Sequence, residues 1–205
     1  MKLYQVARVV ALVLAASPAL GDMRSTSSQD TIPSAFRAPE LALLPAPDLG
    51  AALPAEALTD GLTLAWLSAQ PAPEGDAQWQ CLTEALYFEA RGESLDGQIA
   101  VAEVILNRAD SGLYPRSVCG VVKQRGGGGC QFSYVCNGKT KIREKASATL
   151  AGRIARAMLD GAPRLLTDGA THFHTRSVRP GWSKRFAHTA SIGAHLFYRQ
   201  PGTRG

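Results

Sequence analysis

From Ala77 onward, apolar positions recur at steps of three and four, through Trp79, Leu82 and Leu86, which is the 3.6-residue period of a helix with one buried face. Glu89 falls on the same face before Gly92 ends the run, so the pattern predicts a first helix with a carboxylate among its apolar residues. Ser94 suits an N-cap, and Asp96 would lie in the first turn of a second helix, where negative charge complements the dipole. That helix, about 95 to 110, contains Ile99, Ala100, Val101, Ala102, Val104, Ile105 and Leu106; apolar nearly all round, it is expected to be the buried centre. Glu103 inside it needs a buried partner, for which an arginine is the better candidate. Pro115 opens a short third helix through Lys123, and a fourth, from about Ile142 to Asp160, has Ala146, Leu150, Ile154 and Met158 on one stripe before Gly161 and Pro163 close it. Between them, Gly126 to Gly138 is too rich in glycine for a helix and reads as a loop. Ala170 to Thr175 and His195 to Arg199 read as short extended segments. The fold class expected is α+β, mainly helical, with a small β element packed on a helical core.

Ahead of that pattern the chain changes character. Lys2 and Arg8 precede an apolar run from Val9 to Ala16 and the small-residue stretch Ala19-Leu20-Gly21, the layout of a secretory signal peptide over 1–21. The run is too short to span a bilayer. Residues 22–76 hold seven of the twelve prolines and little patterned hydrophobicity, which predicts a flexible Pro/Ala-rich tether. Within it, Leu62 to Leu67 with Trp66 could make one helical turn or a docking contact. At 205 residues one domain is expected, over 77–200, with a tail at 201–205. An exported monomer of the periplasm or cell envelope, without stable membrane insertion once the signal is cut, is the corresponding expectation.

Charge sharpens the division. Residues 22–80 carry two basic side chains against eight acids, a balance of −6, whereas 81–205 carry eighteen against nine, a balance of +9. The domain therefore favours an anionic partner, and for an exported chain an envelope polymer fits better than nucleic acid; a plain solubility role for the charge is the alternative reading. All four cysteines, Cys81, Cys119, Cys130 and Cys136, lie in the positive segment. An even count in an exported chain reads as two disulfides. Of three possible pairings, Cys81 with Cys119 and Cys130 with Cys136 is favoured; no C-x-x-C pair suggests zinc.

Chemistry concentrates in Glu84 to Glu93 and in Asn107-Arg108. A carboxyl on an apolar helix face loses hydration when ionised, so its pKa rises and it can hold a proton for a leaving oxygen. The competing reading pairs Glu89 with Arg91 or Arg108. Glu93 would lie one turn on if the helix persisted, but two acids on adjacent turns do not flank a substrate from opposite sides, so a supporting role suits it. Glu144 is expected to be solvated among Lys141, Arg143 and Lys145. His172 and His174 would share a strand face, yet without H-E-x-x-H spacing or a neighbouring acid a structural or substrate-contact role is preferred to ligation. Gly138-Lys139-Thr140 ends like a phosphate loop but lacks its first glycine and a preceding strand.

The stretch Ala85 to Glu93 (A-L-Y-F-E-A-R-G-E), then Gly97, Gln98, Ala100 to Ala102 and Val104 to Arg108 (V-I-L-N-R), resembles the signature of the SleB-like cell-wall hydrolase family. Tyr114-Pro115, Val118, Gly120-Val121-Val122, Gln131-Phe132-Ser133, Ile192-Gly193, His195 and Phe197-Tyr198 follow in that family's order, and the likeness spans roughly 81–199. The resemblance implies a lysozyme-like, lytic-transglycosylase-like helical core. It also implies cleavage between N-acetylmuramic acid and N-acetylglucosamine in the glycan strands of peptidoglycan, by lytic transglycosylation or as a muramidase. Glu89 matches the family's catalytic glutamate, with Glu93, Arg91, Asn107 and Arg108 in support, and no metal or organic cofactor is expected. Gln131, Phe132, Ser133 and Tyr134, with His172 and His195, are the expected sugar contacts. The cysteine-braced loop and the lack of an obvious repeat-type wall-binding domain in front depart from the spore enzymes, which points to ordinary or newly made peptidoglycan as the target. Two rivals remain: a metal-dependent amidase or peptidase using the histidines, and a non-catalytic wall-binding module.

Overall fold

The computed structural model describes residues 61–126, 129–138 and 140–203; the expected signal peptide and most of the tether lie outside them. Helix α1 (Leu64–Ala69) is capped by Thr63, whose hydroxyl accepts from Trp66 N at 3.2 Å. Leu62 and Leu67 are buried in the main core, and Arg153 Nη2 donates to Gln70 O at 2.8 Å. The end of the Pro/Ala-rich segment therefore packs on the domain, where composition alone suggested a flexible tether. Proline stiffens as well as separates: its fixed φ lowers the entropy lost when the segment settles on a surface, and two leucines supply the apolar area.

Helix α2 (Ala77–Ala90) starts at Asp76, whose carboxylate accepts from Gln78 N at 2.9 Å and Trp79 N at 3.0 Å. It ends with Arg91 as C-cap, before the Gly92 that marked the expected end, so Glu93 is not on the helix. Helix α3 (Leu95–Asp110) is capped by Ser94, which accepts from Gly97 N at 3.2 Å. Its residues from Ala100 to Ile105 are fully buried. Helix α4 (Val118–Val122) follows, tied to α2 by the Cys81–Cys119 disulfide. Strands β1 (Arg125–Gly126) and β2 (Gly129–Cys130) form a minimal antiparallel pair. Helix α5 (Ser133–Asn137) occupies part of the expected loop and stops at Gly138, which takes φ +70°. Five residues are too few to leave a periodic trace, and the Cys130–Cys136 disulfide closes over them.

Helix α6 (Lys145–Leu159) begins three residues later than expected. The Tyr87 hydroxyl explains the start: it accepts from Arg143 N at 3.0 Å and Glu144 N at 3.1 Å, satisfying amides ahead of the first turn. Its stripe holds at Ile154 and Met158, which are buried, while Ala146 is exposed. Trp79 Nε1 donates to Gly152 O at 2.9 Å. A Cβ at Gly152 would come within 2.9 Å of Pro73 Cγ and 3.1 Å of Trp79, so only glycine lets α2 and the 62–73 segment close on α6.

The sheet is three-stranded and antiparallel in the order β3 (His172–Thr175), β5 (His195–Arg199), β4 (Ala187–Ile192). Strand β4 is the strand of this sheet that the pattern does not show: A-H-T-A-S-I has no run of β-branched or aromatic residues, and a bulge between His188 and Ala190 breaks its alternation. One sheet face, with Phe173, Phe197, Ala190 and Ile192, packs on Ala100 and Val104 of α3. The central helix therefore has helices on one side and the sheet on the other.

Candidate active site

Glu89 occupies the last turn of α2 and is half-buried. Among the described residues it has no hydrogen-bond or ion-pair partner, and burial pushes its carboxyl above the ordinary value of 4.5. The two arginines of the competing reading are engaged elsewhere. Arg91 Nε meets Glu144 Oε1 at 3.2 Å, its Nη1 donates to Tyr87 O at 3.1 Å, and its guanidinium lies over the Tyr87 ring. Glu144 is exposed, as expected, and is the counter-ion of Arg91. Arg108, 1% exposed, donates from Nε to Thr171 O and sits 5.2 Å from the Tyr114 ring centroid.

Beside Glu89, Phe88 stacks on Tyr134 with centroids 4.6 Å apart. Tyr134 is buried and its hydroxyl finds no partner among the described residues. Burial first, then the charges of Glu84 and Glu89, push its phenol well above 10. A neutral O–H with a free proton therefore shares the electrostatic surroundings of Glu89. The Cys130–Cys136 disulfide brackets Tyr134 and so fixes its position. Gln131 and Ser133 are exposed, while Phe132, at 2%, faces the core and supports the loop from beneath instead of offering a face to a sugar. Gln131 also lines an open concavity of about 330 Å³ with Gln124, Gly126, Gly129 and Cys130; Glu89 is not among its lining residues.

Glu93 lies in the turn between α2 and α3. Its Oε2 accepts from Ala194 N at 3.0 Å, and its Oε1 lies 3.6 Å from His195 Nδ1. That approach depends on Gly193, at φ +55°, where a Cβ would fall 2.2 Å from the carboxylate. Glu93 therefore braces the β4–β5 turn against the end of α2. The buried His195 is lowered from 6.5 by desolvation and by His174, against the pull of Glu93, and 3.6 Å is too long for a formed hydrogen bond.

Asn107 and Arg108 make no hydrogen bond to Glu89. With Glu103 they hold the loop ahead of β3: Asn107 Nδ2 donates to Ala170 O at 2.9 Å, and Glu103 accepts from Leu166 N at 3.0 Å, Thr167 N at 2.9 Å and Thr167 Oγ1 at 2.5 Å. The partner of Glu103 is this loop and not an arginine, because a fully buried carboxylate is satisfied as well by converging N–H groups as by a cation. His172 lies among Tyr114, Trp182 and Phe186, lowered to about 4 by burial and then by the charge of Arg108. Among the described residues no three His, Cys, Asp or Glu side chains gather as a metal-binding group. The sequence puts Tyr134 among the sugar contacts but carries no signal for its stacking on Phe88, and it marks neither Tyr87 nor Trp182.

Residues 92–198, just over half of the chain, match the Cell Wall Hydrolase family; the match begins three residues after Glu89. The spore cortex-lytic enzyme of Halalkalibacterium halodurans is 34% identical over 129 residues, 62% of this chain and 36% of that protein. The spore cortex-lytic enzyme of Bacillus subtilis is 58% identical over 116 residues, 57% of this chain and 35% of its own length. The chain thus spans about a third of these relatives. Among solved structures, the catalytic domain of the germination-specific lytic transglycosylase SleB from Bacillus anthracis aligns with a TM-score of 0.50 at 28% identity, covering 63% of this chain and all of that one. The mainly helical α+β architecture is common to both.

Proposed function

The chain belongs to the cell wall hydrolase family, and from that premise we propose that it cleaves the glycan strands of peptidoglycan between N-acetylmuramic acid and N-acetylglucosamine, with Glu89 as the general acid and base. The observation that carries this reading is the half-buried Glu89 carboxyl, raised by desolvation and without a hydrogen-bond or ion-pair partner among the described residues. In the first half of the reaction the protonated Glu89 gives its proton to the glycosidic oxygen as the bond from the muramic C1 breaks. In the second, the carboxylate takes the proton of the muramic C6 hydroxyl as that oxygen bonds to C1, leaving an anhydro ring and a free hydroxyl on the departing sugar. Protons balance, no water enters, and no second carboxylate is needed. Glu93 and Arg91 act by shape: one braces the β4–β5 turn, the other ties the end of α2 to α6. A leader over 1–21 would deliver the domain to the envelope, and its positive balance suits an acid-bearing polymer.

Digestion of purified sacculi tests the proposal. The expected products are muropeptides with anhydro-muramic ends, and Glu89→Gln is expected to lower their release by at least about a hundredfold, the range for loss of a general acid–base, with the fold intact by circular dichroism. Reducing muramic ends would instead indicate hydrolysis by water. Cleaved stem peptides, or an active Glu89→Gln chain, would overturn the assignment.

A further inference from the structure

The sheet face opposite Phe173 and Phe197 carries side chains that make no hydrogen bond, ion pair or ring contact with Glu89 or Phe88. His172, His174 and Tyr198 alternate with the inward-facing Phe173 and Phe197, and the register sets His172 and His188 on either side of Tyr198. The crossing from β3 to β4 lays a 3₁₀ turn, Gly181–Lys184, over them. Trp182 meets His172 at 4.8 Å, His174 at 5.5 Å and Tyr198 at 5.4 Å, while Phe186 stacks on Trp182 at 5.6 Å. Trp182, Phe186 and His172 are only half-buried, and His188 is exposed. The result is a ring platform with one side seated on the sheet and its rim open to solvent.

The crossing also concentrates positive charge. Arg176, Arg179, Lys184 and Arg185 are exposed, and none has an ion pair among the described residues. Residues 169–203 contain no aspartate or glutamate. Clustered like charges repel one another and contribute nothing to the fold. They do complement a ligand that brings acids, and the rings complement the apolar faces of sugars.

We propose that this outer sheet face is a second glycan-binding surface, which holds a carboxylate-bearing peptidoglycan strand separately from the strand cleaved at Glu89. Only the identity of the saccharide rests on the hydrolase reading. Binding would keep the chain on its insoluble polymer between cleavage events, a role that multiplies local substrate concentration without a new catalytic group.

Co-sedimentation with purified sacculi, using the full chain in the Glu89→Gln background so that the polymer stays intact, tests this. The triple change Arg179→Ser, Lys184→Ser and Arg185→Ser touches exposed side chains and is expected to weaken binding by at least about tenfold. Phe186→Ala at the rim is expected to weaken it about threefold. With Glu89 restored, the triple variant is expected to cleave short soluble glycan fragments at the parent rate. Unchanged sedimentation would overturn the proposal. So would a parallel loss of soluble turnover, which would merge this face with the cleavage site, or competition by polyphosphate as effective as by soluble glycan, which would mean that the face reads charge alone. A parent chain that binds sacculi but releases nothing would refute the hydrolase reading and leave this one standing.

Discussion

Two acids on neighbouring helices show what separates a structural carboxylate from a reactive one. Glu103 is completely buried and receives three donors from one loop; Glu89 is only half-buried and receives none from the described residues. Removing water without replacing its hydrogen bonds favours the neutral acid, so the Glu89 carboxyl is raised. The sign of its effect on stability follows. Because the folded-state value lies above the unfolded one, the neutral acid's contribution is fully present below the ordinary value near 4.5 and is lost as pH rises through the raised one. At neutral pH, above the unfolded value, part of that contribution is gone, so Glu89→Gln is expected to raise the thermal midpoint there while lowering activity at least about a hundredfold. Scans at pH 4 and pH 7.5 check this, with the gain expected only at the higher pH; equal midpoints at both would mean that the carboxylate is as well solvated folded as unfolded.

At the level of elements, α3 positions most of the structure. Glu103 and Asn107, four residues apart, and the adjacent Arg108 anchor the loop 164–171 and thereby set where β3 begins. Glu103→Ala would leave two backbone amides and a threonine hydroxyl unsatisfied beside a cavity, so a loss of about 3 kcal/mol is expected. Urea melts check it; a change under about 0.5 kcal/mol, the range of ordinary surface substitutions, would mean that the loop is held by something else. The long helices were legible because two or more turns of one-sided apolar spacing leave little choice of element. Helix α5 and strand β4 were not: one is a single turn closed by a disulfide, the other a bulged edge of small and polar residues whose burial comes from neighbours distant in sequence. Glu93 shows the same limit, since a helical extrapolation put it on α2 while its real partners, Ala194 and His195, lie a hundred residues on.

Across the whole molecule, the strap at 62–73, the helical core and the sheet form the setting for a carboxyl that the family resemblance singled out and the described structure leaves unpaired. The amphipathic pattern alone put Glu89 on an apolar face but could not say whether Arg91 or Arg108 would neutralise it; only the packing of Arg91 on Glu144 and of Arg108 under Thr171 answers that. The uneven charge was legible at once, yet its concentration around an aromatic platform on the sheet required the strand register. The account as a whole turns on where one proton resides. Carbon-13 NMR titration of the Glu89 side-chain carboxyl in the folded chain, assigned by its disappearance in Glu89→Gln, measures this directly. A midpoint clearly above 4.5 is the predicted result, and one at or below 4.5 would contradict it.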